Sequence, residues 1–162
     1  MKILITGSTG FIGKHVIDYL LSLNSINIIA TSSREDNLVE LFQNKNVSII
    51  PFDIYNHQNR DEDLYTLFGK PDKLIHLAWK GLPNYGESYH VTENLIQDFN
   101  FLSNIIKNGL KDITIAGTCF EYGMIEGELH ENMPTNPQNY YALAKDTLRK
   151  MQKCIKFIVI SI

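Results

Sequence analysis

Apolar residues come in short runs separated by polar, glycine-bearing or helix-patterned stretches, and this alternation organises the whole chain. Met1 to Thr6 reads as a buried parallel strand. Ile12, Val16, Leu20 and Leu23 then recur at helical spacing as one apolar stripe, ended by Asn24-Ser25. Ile26 to Thr31 is a second strand, followed by a helix-like segment from Asp36 to Phe42. Val47 to Phe52 is a third, and Pro51, lacking a backbone donor, places it toward an edge. A short helix from Asp61 to Phe68 is stopped by Gly69 and Pro71. Lys73 to Ala78 is a fourth strand and Trp79 to Gly86 a loop. From Ser88 a longer helix carries Val91, Leu95, Phe99, Leu102 and Ile106 on one face and closes at Asn108-Gly109. Ile113 to Ala116 is the fifth strand and Gly117 to Asn139 a long loop of the kind that usually serves function. A helix from Tyr140 to Cys154 and a last run, Phe157 to Ile162, complete the chain. Strands and helices alternate without repeats, so the expected fold is α/β, a doubly wound parallel sheet of order 3-2-1-4-5-6.

The bulk composition narrows the partners. With 162 residues there is one domain, and 44% hydrophobic with 20% charged residues is ordinary for a globular core. A formal charge of −3 argues against a nucleic-acid surface. No apolar run reaches membrane-spanning length, so no membrane partner is expected. Cys119 and Cys154 form no CxxC pair and the N-terminus lacks signal-peptide character, which makes a reducing, cytoplasmic setting the expectation. The five histidines show no ligand spacing, and no metal site is expected.

In a doubly wound sheet, chemistry lies beyond the carboxyl ends of the strands. After the first strand come Gly7, Gly10 and Gly13, a tight turn into a helix N-terminus. Free helix-start N–H groups and missing Cβ atoms there suit a pyrophosphate. A P-loop is excluded because no Gly-Lys-Ser/Thr follows. After the second strand, Ser32, Ser33 and Arg34 precede Glu35; small hydroxyls and an arginine favour a 2′-phosphate, hence NADP over NAD. Asp53 and Ile54 follow the third strand, a carboxylate for an adenine amino group beside an apolar neighbour; a helix cap is the alternative for Asp53. Ala78, after the fourth, is small enough for close backbone approach.

Tyr141 and Lys145 stand four apart on one helix face. A cation near a phenol favours the phenolate, which would ready Tyr141 to give a proton to a ketone oxygen or take one from an alcohol, and Thr118 past the fifth strand offers a hydroxyl to the same oxygen.

Taken together, Gly7-xx-Gly10-Phe-Ile-Gly13, Asp53-Ile54, His76-Leu-Ala78, Asn94, Thr118-Cys-Phe-Glu-Tyr122-Gly123 and Tyr141-xxx-Lys145 resemble the extended short-chain dehydrogenase/reductase family, the NAD(P)-dependent sugar epimerase/dehydratase group. The resemblance implies a Rossmann domain, a catalytic set of Thr118, Tyr141 and Lys145, and a nucleotide-sugar substrate. It places Gly7, Gly10, Phe11, Ile12, Gly13, Arg34, Asp53, Ile54, Ala78, Tyr141 and Lys145 on the cofactor. It also carries the expectation of a homodimer through a four-helix interface built from Ser88–Lys107 and Tyr140–Cys154. Cys119 and Phe120 stand where sugar 4,6-dehydratases carry an Asp-Glu pair, so elimination chemistry is disfavoured. The runs around Trp79, Thr118 and Tyr141 are similar to the deoxytalose 4-dehydrogenase branch, which reversibly reduces a 4-keto-6-deoxyhexose. Family members continue into a smaller C-terminal substrate lobe, and this chain is expected to be the Rossmann part without it. Two alternatives stay open: a dinucleotide-binding module without turnover, and a nucleotide-sugar epimerase.

Overall fold

A computed structural model describes residues 1–23, 25–33, 44–56 and 62–154. Five parallel strands, β1 (Lys2–Thr6), β2 (Asn27–Thr31), β3 (Val47–Ile49), β4 (Lys73–His76) and β5 (Asp112–Ile115), lie in the order β3-β2-β1-β4-β5. The chain crosses over between each successive pair, which is the doubly wound arrangement the alternation requires. Successive residues of β1 face opposite sides of the sheet. Leu4 joins Leu74, Ile113, Phe68, Phe101, Leu102, Ile105 and Leu148 on one side, while Ile3 and Ile5 join Ile28, Ala30 and Ile17 on the other. Because helices cover both faces, the strands carry apolar residues toward both sides, and each fully buried Leu or Ile contributes about 1.5–3 kcal/mol.

The helices are α1 (Phe11–Ser22), α2 (Leu64–Leu67), α3 (Leu95–Lys107) and α4 (Tyr140–Cys154). In α1 the residues set deepest on the sheet are Gly13 and Ile17, with Val16 and Leu20 at the rim; Ile12 and Leu23 of the expected stripe are exposed. Gly13 decides this placement, since a Cβ on it would stand 2.3 Å from the Gly7 carbonyl oxygen, so only glycine lets the helix come this close. Helix α2 is shorter than the expected Asp61–Phe68, because Asp63 caps it by accepting from the Thr66 N–H at 3.0 Å and Gly69 turns away at φ +66°.

The helix expected from Ser88 begins instead with a π-helical turn, His90–Asn94, that runs into α3. Its buried face is also displaced from the expected one. Asn94, Asp98, Phe101, Leu102 and Ile105 point inward, while Leu95, Phe99 and Ile106 are half-buried at the rim. Polar partners beneath the helix draw Asn94 and Asp98 inside, against the preference that an apolar stripe alone would express. A 3-10 turn, Cys119–Tyr122, interrupts the long loop after β5. The segment Asp36–Phe42 and the sixth strand, Phe157–Ile162, lie outside the described residues.

Candidate active site

The carboxyl ends of β1 to β4 open onto a cavity of about 490 Å³. Its walls come from Thr6, Gly7, Thr9 and Gly10, from Thr31, Ser32 and Ser33, from Phe52 to Tyr55, and from Leu77 to Leu82. Gly7 has φ +67°, and a Cβ there would stand 2.8 Å from the Ala78 nitrogen, so the turn packs directly on the backbone after β4. Gly10 N–H donates to the Gly7 carbonyl at 3.0 Å, and Lys14 N–H to the Gly10 carbonyl at 3.1 Å. No side chain caps α1, which leaves the N–H groups of Phe11, Ile12 and Gly13 as helix-start donors. The Phe11 ring, 82% exposed and edge-on to His15, and the Ile12 side chain do not line the cavity; their backbones alone belong to the turn.

Beside the second strand the Thr9 and Ser32 hydroxyls meet at 2.9 Å, and the buried Thr31 hydroxyl at the cavity wall has no hydrogen-bond partner among the described residues. Arg34 lies outside the described residues. Asp53 lines the cavity and its carboxylate accepts from the Tyr55 N–H at 3.0 Å in a turn, and among the described residues it caps no helix. Ile54 is buried beside it.

Beneath the cavity floor runs a polar chain that sequence reasoning missed. Thr6 Oγ1 accepts from the N–H groups of Leu77 and Ala78 at 3.2 and 3.3 Å. Its own proton therefore faces His76 Nδ1 at 2.8 Å, which puts the ring proton on Nε2, donating to Asp98 at 2.9 Å. The Tyr55 phenol donates to the same carboxylate at 3.1 Å, and burial followed by the Asp98 charge pushes its ionisation well up. The signal available in the sequence was a lone carboxylate, Asp98, between Leu95 and Leu102 on a helix bound for the core.

The third group of residues sits around Trp79, which lines the cavity on one side and touches the Tyr141–Lys145 helix on the other. Thr118 caps the 3-10 turn. Its hydroxyl accepts from the Phe120 N–H at 3.3 Å and its N–H donates to Glu121 Oε1 at 3.0 Å, a reciprocal capping box. Glu121 is buried and accepts from Arg149 Nε at 2.9 Å, tying the Thr118 turn to α4. The Thr118 hydroxyl is also in hydrogen-bonding reach of the Tyr141 phenol. Tyr141, 8% exposed, is ringed by Trp79, Tyr85 and His90 at centroid distances of 5.7, 5.4 and 5.5 Å.

The electrostatics correct one expectation. Burial pushes the Tyr141 phenol above its ordinary 10.0, and the Thr118 hydrogen bond offsets only part of that. Lys145 is not among the leading influences on it, and its ammonium lies 4.5 Å from the centroid of the Trp79 ring. Burial holds Lys145 below its ordinary 10.5, with Asp98 and Glu121 acting in the opposite sense. Thr118, Tyr141 and Lys145 are thus brought together, whereas Gly7, Gly10, Asp53, Ile54 and Ala78 gather across the cavity. Among the described residues no group of three metal-ligating side chains forms, and no helix is long and apolar enough to cross a membrane.

A parallel doubly wound sheet with a glycine turn, a cavity at its carboxyl edge and a Thr–Tyr–Lys group defines an α/β domain of the dinucleotide-binding kind. The NAD dependent epimerase/dehydratase family model matches residues 3–155, and the chain belongs to that family. It is 31% identical over 155 residues to dTDP-6-deoxy-L-talose 4-dehydrogenase (NAD(+)) of Aggregatibacter actinomycetemcomitans, covering 93% of this chain and 53% of the relative. A UDP-glucose 4-epimerase of Halalkalibacterium halodurans is 29% identical over 160 residues, covering 93% of this chain and 45% of its own length. The fold matches that of UDP-glucuronic acid 4-epimerase from Bacillus cereus in complex with UDP-glucuronic acid and NAD, with TM-score 0.80 at 24% identity, over 99% of this chain and 55% of that one. The chain spans about half the length of the curated relatives it matches.

Proposed function

We propose that this chain binds a nicotinamide dinucleotide and carries the proton-transfer group of a nucleotide-sugar oxidoreductase acting at C4 of a 4-keto-6-deoxyhexose, as in dTDP-6-deoxy-L-talose 4-dehydrogenase. The observation that carries this reading is the meeting of Thr118, Tyr141 and Lys145 against Trp79 at the wall of a glycine-floored cavity. The cavity residues fit the dinucleotide. Gly7, packed on the backbone after β4, and Gly10 make the tight turn, the start of α1 offers N–H donors without a side-chain cap to a pyrophosphate, and the Thr31 hydroxyl and Asp53 offer further polar contacts. Lys145 presents a buried ammonium that, among the described residues, meets an aromatic face and no oxygen acceptor, a cation suited to ribose hydroxyls.

When bound, the nicotinamide supplies or takes up a hydride. In the reducing direction, the neutral Tyr141 phenol gives its proton to the carbonyl oxygen, leaving the phenolate, and Thr118 donates a hydrogen bond to that oxygen. Carbonyl carbon gains hydride, oxygen gains the proton, and the alcohol leaves. Trp79, Tyr85 and Phe120 form an aromatic wall near the phenol, with Tyr85 and Phe120 5.2 Å apart. Such a wall suits the methyl group of a 6-deoxy sugar better than a uronate carboxylate. The reading includes self-association through α3 and α4 and a preference for NADP resting on Ser32, Ser33 and Arg34, although the talose relative is named for NAD(+).

The test mixes the purified chain with NADH or NADPH and a dTDP-4-keto-6-deoxyhexose and follows the nicotinamide absorbance. Oxidation is expected, falling by about 100-fold or more in Tyr141→Phe, the scale of a lost general acid. Nucleotide binding without oxidation would reassign the chain to a dinucleotide-binding module. Interconversion of UDP-glucose and UDP-galactose, with no net oxidation, would reassign it to an epimerase. Arg34→Ala is expected to weaken NADPH selectively, and equal loss for both nucleotides overturns the 2′-phosphate assignment.

A further inference from the structure

We propose that Trp79 is a positioning residue of the site: its indole, locked by His90, is the seat that holds the Lys145 ammonium at the cavity wall. Trp79 is the chain's one tryptophan, and it stands directly after the small Ala78 in the loop that follows β4. Three of its surroundings converge on one orientation. Indole Nε1–H donates to His90 Nδ1 at 3.1 Å, and the His90 ring lies nearly parallel to it at 26°. An indole nitrogen only donates, so His90 Nδ1 must be the acceptor and Nε2 carries the proton, which goes to the Asn84 carbonyl at 3.0 Å. Both ring nitrogens of His90 are thereby committed to the loop, and the imidazole cannot turn without breaking one of them. Asn94, one helical turn on, donates to the Lys80 carbonyl at 2.8 Å and Tyr89 to the Gly81 carbonyl at 2.8 Å, pinning the loop directly after the indole.

The π-helical turn acquires a purpose from this. It sets His90 and Asn94 inward together, both fully buried, under the loop that carries Trp79. What the loop presents is the face of the indole, with the Lys145 ammonium 4.5 Å from its centroid and the edge of Tyr141 at 5.7 Å. Lys145 is 5% exposed, and a buried ammonium without an oxygen partner among the described residues needs compensation; an aromatic quadrupole supplies it without occupying the N–H donors. The seat therefore keeps the lysine charged and its hydrogens free. Charged groups facing Lys145 from elsewhere are Asp98 on α3 and Glu121 on the 3-10 turn, with Tyr141 on its own helix and His90 behind the indole. The seat follows from geometry alone; its use in holding the lysine for a ribose rests on the dinucleotide reading.

The experiment compares wild type, Trp79→Phe and Trp79→Leu, using lysine-labelled protein in which the Lys145 resonances are assigned by their loss in Lys145→Arg. In wild type the ε-methylene protons of Lys145 are expected upfield of the other lysines, displaced by the indole ring current. Lys145 is expected to become about tenfold more acidic in Trp79→Leu and to stay within about threefold in Trp79→Phe, which keeps an aromatic face. NADH affinity, measured by calorimetry, is expected to follow the same order, about tenfold weaker for leucine and within about threefold for phenylalanine. Equal Lys145 titrations in all three proteins overturn the proposal, as does NADH loss without a Lys145 change, which marks general packing. Should Trp79→Leu not fold, the wild-type ring-current displacement decides, and its absence overturns the seat. A wild-type chain that binds neither NADH nor NADPH defeats the dinucleotide reading, while the Lys145 titration still judges the seat.

Discussion

Gly10 and Gly13 share a side chain and answer to different constraints. A Cβ on Gly13 would meet only backbone, the Gly7 oxygen at 2.3 Å and the Ser8 oxygen at 2.8 Å, so Gly13→Ala must push α1 off the sheet. The expected cost is about 1–3 kcal/mol, read as a lower thermal midpoint. A Cβ on Gly10 would meet only the Gly7 oxygen at 3.1 Å, and its backbone, φ −72° and ψ 169°, is open to any residue. Gly10→Ala is therefore expected to melt within a few degrees of wild type yet to bind NADH about tenfold more weakly, by filling the phosphate approach. The glycine spacing was legible in the chain; which glycine serves the fold and which the ligand depends on tertiary clearances that spacing does not encode. Asp98 is the converse case. Its carboxylate takes protons from both His76 and Tyr55, and Asp98→Ala leaves two buried donors unpaired. A loss of about 3 kcal/mol in urea unfolding is expected, from roughly 1–3 kcal/mol per orphaned group.

At the scale of elements, the Thr118 turn and helix α4 are fastened by charge. Arg149 on α4 reaches Glu121 under Thr118 at 2.9 Å, and Asp146, one turn earlier, accepts from Arg149, from Lys150 at 2.6 Å and from Thr135 at 3.1 Å. Burial works against the Asp146 carboxylate, but the bonds from Lys150, Arg149 and Thr135 together outweigh it and hold the group below its ordinary 3.8. A carboxylate depressed in the folded state contributes stability that is present above its unfolded value and lost as pH falls through its folded one. Asp146→Asn is thus expected to cost about 2 kcal/mol at pH 7, by the scale of charge-assisted hydrogen bonds, with the difference from wild type shrinking below pH 3.8 in denaturant titrations. Such pairs explain the limits of pattern reading here. Strand placement and the Tyr141–Lys145 pair followed from apolar runs and helical spacing. The buried face of α3 did not, because Asn94 and Asp98 are drawn inward by polar partners remote in the chain, and the capping box at Thr118 gave no apolar signal in the long loop.

Across the whole molecule, both faces of the sheet are covered, and the outer surfaces of α3 and α4 still carry large apolar side chains. Ile96 is 48% exposed on α3, and on α4 Tyr140 and Leu143 are 48% and 42% exposed. In the proposed self-association, this surface of two packed helices with apolar residues outward would be buried by an isologous contact, each helix pair meeting its twin in a four-helix layer. Sedimentation velocity is expected to give a mass near twice 18.6 kDa, and the paired substitution Ile96→Glu with Leu143→Glu to return it to the single-chain value. Neither side chain lines the dinucleotide cavity, so the charged variant is expected to keep NADH affinity within about threefold of the parent, below the roughly 1.4 kcal/mol that a tenfold change represents. A parent that sediments as a single chain at high micromolar concentration contradicts the interface. Loss of NADH binding along with the dimer would instead mean that the α4 helix holds Tyr141 and Lys145 in place only when its outer face is covered.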